Sequence, residues 1–90
     1  MKVIISPKAE KSIIKLPKHV QLLIEKNLRK LSKDPNSIKK KKLRDYKNIY
    51  RIRMGEYRLV FRVNKREIYV INIGHRGQIY EKLKRMFVFL

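Results

Sequence analysis

Cysteine is absent from the 90-residue chain. Its absence excludes a disulfide scaffold, a thiolate zinc site and a cysteine nucleophile, and it agrees with a reducing cytosol. The chain also lacks any apolar run near the ~20 residues that cross a membrane, and its first residues lack the apolar stretch of a signal peptide. We therefore expect a soluble, cytoplasmic protein that does not insert into a membrane.

Acidic residues are scarce as well. Seven Asp and Glu stand against 25 Lys and Arg, which gives a formal net charge of +18. So few carboxylates are unable to neutralise the surface through ion pairs, and an excess of this size attracts polyanions. The composition predicts nucleic acid as a partner, and the alternative is a basic surface that only water covers.

The first third of the chain has the pattern of a strand followed by two helices. Residues 3–5 are apolar, Ser6 before Pro7 is typical of a helix start, and Pro17 fits the first turn of a second helix. The second helix carries an apolar stripe at helical spacing, formed by Val20, Leu23, Ile24, Asn27, Leu28 and Leu31. The two helices predict an αα-hairpin that packs on one face of a sheet.

Residues 50–63, YRIRMGEYRLVFRV, predict a β-hairpin with a type II′ turn at Gly55-Glu56. The apolar positions alternate with arginines, so the turn places Arg53 directly opposite Arg58, on the face away from the apolar residues. Like charges opposite each other destabilise a sheet by roughly 0.2–1 kcal/mol per pair. We infer that this face binds an anionic ligand.

Residues 67–74, EIYVINIG, predict a third antiparallel strand after a turn at Asn64-Lys65. This turn predicts the pairs Arg62 with Glu67, Phe61 with Ile68 and Leu59 with Val70. The strand is apolar on both faces, which favours an interior position and predicts that residues 78–85 cover part of the arginine-bearing face. One domain over residues 1–90 is expected, with an α+β fold: an N-terminal strand and αα-hairpin packed on an antiparallel β-meander, and a short C-terminal helix. The apolar end, MFVFL at 86–90, either packs on the sheet or contacts a partner.

A lysine run precedes the hairpin. Its basic residues are Lys39, Lys40, Lys41, Lys42 and Arg44. Two interpretations are open: a solvated loop, which charge runs usually form, or an arm that follows the phosphates of RNA.

The run LRDYKNIYRIRMGEYRLVFRV followed by INIGHRGQIY resembles the RelE/ParE superfamily of toxins from toxin–antitoxin modules, and most closely its RelE branch. The resemblance covers nearly the whole chain. It implies an endoribonuclease, an mRNA interferase that inhibits translation by cutting mRNA in the ribosomal decoding site. The ribose 2′-OH is the attacking group, and no metal or cofactor takes part. It also implies a cognate RelB-like antitoxin with an acidic toxin-binding segment as partner, besides the ribosome and mRNA.

The resemblance also implies a set of site residues, namely Arg51, Arg53, Arg58, Arg76 and Tyr80. Arginine clusters stabilise charge that develops on a phosphate, and aromatic side chains splay nucleotides. The family commonly carries lysine at the first two positions, one of them proposed as general base, whereas arginine does not readily release its proton. The proton acceptor is therefore open.

Plainer interpretations exist for several of these residues. Arg51 and Arg53 also fit ordinary outward charges on an antiparallel strand. Tyr80 fits a packed helix residue. His75 fits a strand-end residue, our preferred interpretation, although histidine also carries protons near neutral pH.

Three functional classes follow from the sequence. A ribosome-dependent endoribonuclease is favoured. A ParE-type gyrase poison is the second, because that branch shares the scaffold. A catalytically silent RNA-binding member is the third, because the lysine base is missing.

Overall fold

A computed structural model describes residues 1–86, without the side chain of Met86. The expectation for residues 86–90 therefore lies outside the side chains described. The elements in chain order are β1 (Lys2–Ile5), α1 (Pro7–Ile14), α2 (Lys18–Lys33), β2 (Lys41–Lys42), β3 (Ile49–Met54), β4 (Tyr57–Val63), β5 (Glu67–His75) and α3 (Ile79–Met86). They form one five-stranded sheet in the order β1-β5-β4-β3-β2. The expected α+β fold is confirmed, with β1 joining β5 in parallel and β2 adding an edge strand beside β3.

Helix α1 begins where the Ser-Pro signal predicts. Ser6 is its N-cap, with Oγ accepting from the backbone N of Ala9 at 3.0 Å. The same hydroxyl donates to the carbonyl of Ile71 at 2.6 Å. Strand β1 pairs only with the first half of β5, and these contacts place α1 against the second half.

Helix α2 packs on the sheet face predicted for it. Its buried residues Val20, Ile24, Leu28 and Leu31 share one apolar core with sheet residues Ile52, Met54, Leu59, Phe61, Ile68, Val70 and Ile73. The expectation that Leu23 belongs to this stripe is wrong, because Leu23 lies at its margin and is exposed.

The β3–β4 hairpin has the predicted register. Arg53 pairs with Arg58, and Ile52 with Leu59. Gly55 has φ 61°, and Glu56 is not among the residues of positive φ, as a type II′ turn requires. A local alternation of side chains and one glycine were sufficient to determine this pairing.

The predicted β4–β5 register is wrong. Asn64 Oδ1 accepts from the backbone N of Arg66 and of Glu67, at 3.0 and 2.8 Å, so the turn is centred on residues 65–66. Arg62 therefore pairs with Tyr69 and Phe61 with Val70. The shift is two residues, which keeps each side chain on its expected face.

A β-bulge then changes the register again. The irregularity lies between Val60 and Phe61, and beyond it Leu59 pairs with Ile73 instead of the predicted Val70. Ile71 faces away from Val70 and joins a second apolar core, and the extra residue returns Ile73 to the core under α2.

Helix α3 covers part of the arginine-bearing face, as predicted from the apolar β5. Its Ile79 and Leu83 pack with Val60, Ile71 and Ile49 in the second core. Ile79 lies over Gly74, where an added Cβ would stand 3.4 Å from Cδ1 of Ile79. Over the described residues, no helix combines the length and the apolar character needed to cross a membrane.

Candidate functional site

The sheet face away from α2 carries a basic surface that we call the arginine face, defined by Lys41, Arg51, Arg53 and Arg58. The strand register explains why they share one side: Lys41 pairs with Arg51, and Arg53 with Arg58. Among the residues that the structure describes, none of these four side chains forms an ion pair with a carboxylate. The face therefore holds its charges without an internal counterion.

Arg58 belongs to this face by its strand register, but its side chain is buried. It is only 6% exposed, and its Nη1 donates to the carbonyls of Gly55 at 2.8 Å and Tyr57 at 3.0 Å. The hairpin turn bends these carbonyls toward the guanidinium and fixes its orientation. Both bonds use Nη1, so the other N–H groups of the planar fork remain for a ligand.

Glu56 connects the hairpin turn to the residues that follow β5. Its carbonyl accepts from the backbone N of Arg76 at 2.8 Å, and its Oε2 lies 3.0 Å from Nε of Arg76. Nε2 of His75 lies 3.7 Å from the same carboxylate oxygen. Arg76 is thereby held at the end of the sheet where Arg58 lies, because Arg58 pairs with Gly74. The sequence pattern assigns Glu56 only a turn position and does not predict its link to Arg76, although Glu56 is the only acidic residue within 46–66.

His75 is the last residue of β5, as the plainer interpretation has it, and its side chain is half exposed. Its Nδ1 accepts from the backbone N of Gly77 at 3.3 Å, and its ring meets Tyr57 edge-on at 6.3 Å. The imidazole thus lies beside Arg76 and open to solvent.

The lysine run is only in part a loop. Lys41 and Lys42 form strand β2, so the solvated-loop interpretation is wrong for these two residues. Lys40 Nζ donates to the carbonyl of Pro35 at 2.8 Å and lies 5.5 Å from the centre of the Tyr50 ring. A cavity of about 310 Å³ is lined by Lys39, Lys40, Lys41, Arg51 and Arg53. The structure therefore brings the run and the hairpin arginines together.

Tyr80 and Arg44 lie at a different place on the same side of the sheet. They line a cavity of about 170 Å³ together with Leu43, Asp45, Tyr46, Leu83 and Lys84. Tyr80 is in the first turn of α3 and is 36% exposed, so it is not a core residue. Within residues 1–86, no cluster of three or more His, Asp or Glu side chains is arranged to hold a metal ion.

Comparison with known proteins agrees with this geometry. Residues 3–80 match the family described as ParE toxin of type II toxin–antitoxin system. The chain is 33% identical to Toxin RelE3 of Methanocaldococcus jannaschii over 85 residues, which are 90% of this chain and 97% of that protein.

Solved structures give the same result. The RelB–RelE antitoxin–toxin complex from Methanococcus jannaschii is similar with a TM-score of 0.76 and 26% identity, covering 88% of this chain and 96% of that one. The isolated E. coli RelE toxin is similar with a TM-score of 0.73 and 30% identity, covering 96% and 98%. The chain therefore belongs to the RelE/ParE superfamily of toxins from type II toxin–antitoxin systems.

Proposed function

We propose that this toxin is an endoribonuclease that cleaves mRNA in the decoding site of the ribosome and thereby inhibits translation. The observation that carries the proposal is the pairing of Arg53 with Arg58 on a face where no described carboxylate pairs with either side chain. Such a face costs stability in the free protein and matches a phosphate. Similarity to RelE toxins supports the same conclusion.

Arg58 and Arg76 are proposed to stabilise the charge that develops on the phosphate. Arg58 is fixed by its two carbonyl contacts, and Arg76 is held by Glu56. Donors that are oriented before the reaction cost little reorganisation in the transition state, which makes them effective. Both groups act without a metal ion.

Arg51 and Arg53 are proposed to grip the neighbouring backbone and align the 2′-OH with the phosphate. Together with Lys39, Lys40 and Lys41 they surround one cavity of about 310 Å³. Arg44 adds a charge in the neighbouring cavity, where Tyr80 supplies an exposed ring for stacking on a base. Lys42 pairs with Tyr50 and therefore lies on the other face of the strand, at the same sheet edge.

The proton of the 2′-OH has no lysine to receive it at position 51. An arginine keeps its proton near neutral pH, so we propose that the site works mainly by electrostatics and alignment. His75 is the alternative acceptor, because it lies beside Arg76 and is open to solvent.

The physiological partner is proposed to be a RelB-like antitoxin whose toxin-binding segment is acidic. The similar toxins from Methanococcus jannaschii and E. coli are known in complexes with RelB. A net charge of +18 favours fast capture by an acidic segment that folds as it binds.

A gyrase poison is the second candidate, because the family model that matches residues 3–80 is named for ParE. Controlled expression followed by mapping of mRNA ends separates the two. Codon-linked cuts within translated regions are expected. DNA damage with loss of supercoiling, and no new mRNA ends, would assign the gyrase function instead, and no growth effect would indicate a silent member.

A further inference from the structure

A second basic pocket lies between α1 and α3, away from the arginine face. It has a volume of about 340 Å³ and is lined by Lys8, Lys11, Ser12, Asn72, Lys82 and Arg85. We call it the α1–α3 pocket. It borders β5, which lies on the β1 side of the sheet, whereas the cavity at Arg51 and Arg53 borders β2 and β3 on the other side. The two basic sites are therefore separate.

Helical spacing brings the four cations of the pocket together. Lys8 and Lys11 are three residues apart on α1, and Lys82 and Arg85 are three apart on α3, so each pair shares one helix face. Within the described part of the chain, none of the four has a carboxylate partner, and no acidic residue lines the pocket. Four uncompensated positive charges around one cavity repel one another and attract an anion.

Asn72 gives the pocket a buried polar group with unused donors. It is 4% exposed, and its Oδ1 accepts from Oγ of Ser12 at 3.1 Å and from the backbone N of Ile73 at 2.8 Å. These bonds fix the orientation of the amide. Its Nδ2 forms no hydrogen bond with a described residue. No described side-chain nitrogen or oxygen is both fully buried and without a partner, so Nδ2 retains access to the pocket. A buried amide that presents only donors fits a ligand that is only an acceptor.

We propose that the α1–α3 pocket binds one phosphate of an RNA strand, giving the toxin a second backbone contact toward the β1 edge of the sheet, away from the cavity at Arg51 and Arg53. Lys, Arg and Asn side chains are common phosphate ligands in nucleic-acid complexes. All six lining residues are polar, whereas a docking site for a protein segment has an apolar centre. This inference rests on the proposed action on RNA and adds a site to it.

The test uses the full chain and a fluorescein-labelled 2′-O-methyl RNA of roughly 16 nucleotides, the upper end of typical single-strand site sizes. This RNA has no free 2′-OH and is not cleaved, so binding is measured independently of catalysis. Affinity is followed by anisotropy over a range of salt concentrations. Each phosphate contact in a single strand contributes about 0.7 to the slope of log K against log salt.

The double variant Lys82→Gln/Arg85→Gln is expected to lower the salt slope by about 0.7, the contribution of one phosphate. Asn72→Asp is expected to weaken RNA binding more than the double variant does, because it places a carboxylate where the amide donates. The matched control Lys26→Gln/Lys30→Gln removes the same charge from exposed positions of α2 and is expected to leave the slope unchanged.

Equal effects of the two double variants would overturn the pocket assignment, as would failure of the wild type to bind this RNA. A pocket variant that loses affinity for poly-glutamate but not for RNA would assign the pocket to an acidic protein instead. Cleavage of mRNA on ribosomes is assayed separately. If the chain cuts no mRNA but the pocket variant changes the salt slope, the pocket assignment stands and the proposed cleavage is wrong. If the chain cuts mRNA but the pocket variant leaves the slope unchanged, only the pocket assignment is wrong.

Discussion

Glu56 and Arg76 are joined twice, by a backbone hydrogen bond of 2.8 Å and by a side-chain ion pair of 3.0 Å between Oε2 and Nε. Glu56 lies in the hairpin turn and Arg76 directly follows β5, so the pair connects two separate parts of the proposed site. Both side chains are more than half exposed. The ion pair therefore contributes little to stability, and its main effect is to orient the arginine.

Glu56→Gln is expected to reduce cleavage while leaving the fold intact. Loss of an exposed ion pair costs about 0–1 kcal/mol, so the melting temperature changes little, whereas Arg76 loses its orientation toward the phosphate. Single-turnover cleavage on programmed ribosomes and thermal melts measure the two effects. Glu25→Gln is the control, because it breaks an exposed pair with Arg29 on α2 and is expected to leave cleavage unchanged. Unaltered cleavage by Glu56→Gln would show that Arg76 needs no such support.

Arg58→Ala and Arg76→Ala are each expected to lower the cleavage rate by about 10²–10³-fold, the typical effect of removing one transition-state donor. Their stabilities should differ. Arg58→Ala leaves the carbonyls of Gly55 and Tyr57 without their donor and is expected to cost about 1–3 kcal/mol, whereas Arg76→Ala removes an exposed side chain.

Urea denaturation measures this difference in stability. Arg62→Ala is the control, because Arg62 lies on the same strand with an exposed side chain beside Tyr69. If Arg58→Ala and Arg76→Ala both cleave at the wild-type rate, the proposed site is wrong.

Arg51→Lys is expected to preserve or raise the cleavage rate and to make it rise with pH. The introduced lysine would have its pKa lowered by the neighbouring positive charges of Lys41 and Arg53, and its neutral form accepts a proton. The neutral form increases as pH rises, so the rate increases in the same direction. A positioned base typically contributes ~10²–10⁴-fold. Single-turnover rates from neutral to alkaline pH give the profile.

Two outcomes would change the interpretation of this experiment. Loss of activity in Arg51→Lys means that Arg51 holds phosphate through its planar fork, which lysine does not reproduce. If His75→Gln loses both activity and an inflection near neutral pH, His75 is the base and has a catalytic role besides ending β5.

Gly55→Ala is expected to destabilise the protein by roughly 1–2 kcal/mol, because an L side chain at φ 61° clashes with its own backbone. The strain also shifts the carbonyls that hold Arg58. Gly77→Ala is the matched control, since an added Cβ there meets nothing closer than 3.7 Å and its φ is not in the left-handed region. Equilibrium unfolding in urea compares them, and equal stabilities would contradict the turn assignment.

Binding of the proposed cognate antitoxin is expected to weaken as salt rises, mainly through a slower association rate. The positive surface steers an acidic segment over distances that salt screens. Stopped-flow association at several ionic strengths tests this. A rate that does not change with salt would remove the electrostatic part of the proposal.

The local pattern of the sequence was sufficient for the site's central feature. Alternation of apolar residues with arginine, and a glycine at the first turn position, placed Arg53 opposite Arg58. The apolar character of β5 on both faces predicted that α3 would cover the second face. Both inferences succeed because side-chain alternation and turn conformation depend on neighbours in the chain.

Only the tertiary structure decided the features that depend on residues distant in sequence or on competition between hydrogen bonds. Asn64 Oδ1 accepts hydrogen bonds from two backbone N–H groups in the turn, and the β4–β5 register therefore differs from the predicted one. A bulge then changes the register a second time. Lys41 and Lys42 of the lysine run pair with β3, and an ion pair joins Glu56 of the hairpin turn to Arg76 after β5. Arg58 is 6% exposed and its Nη1 donates to the carbonyls of Gly55 and Tyr57, and side-chain alternation alone fixes neither its burial nor these two bonds.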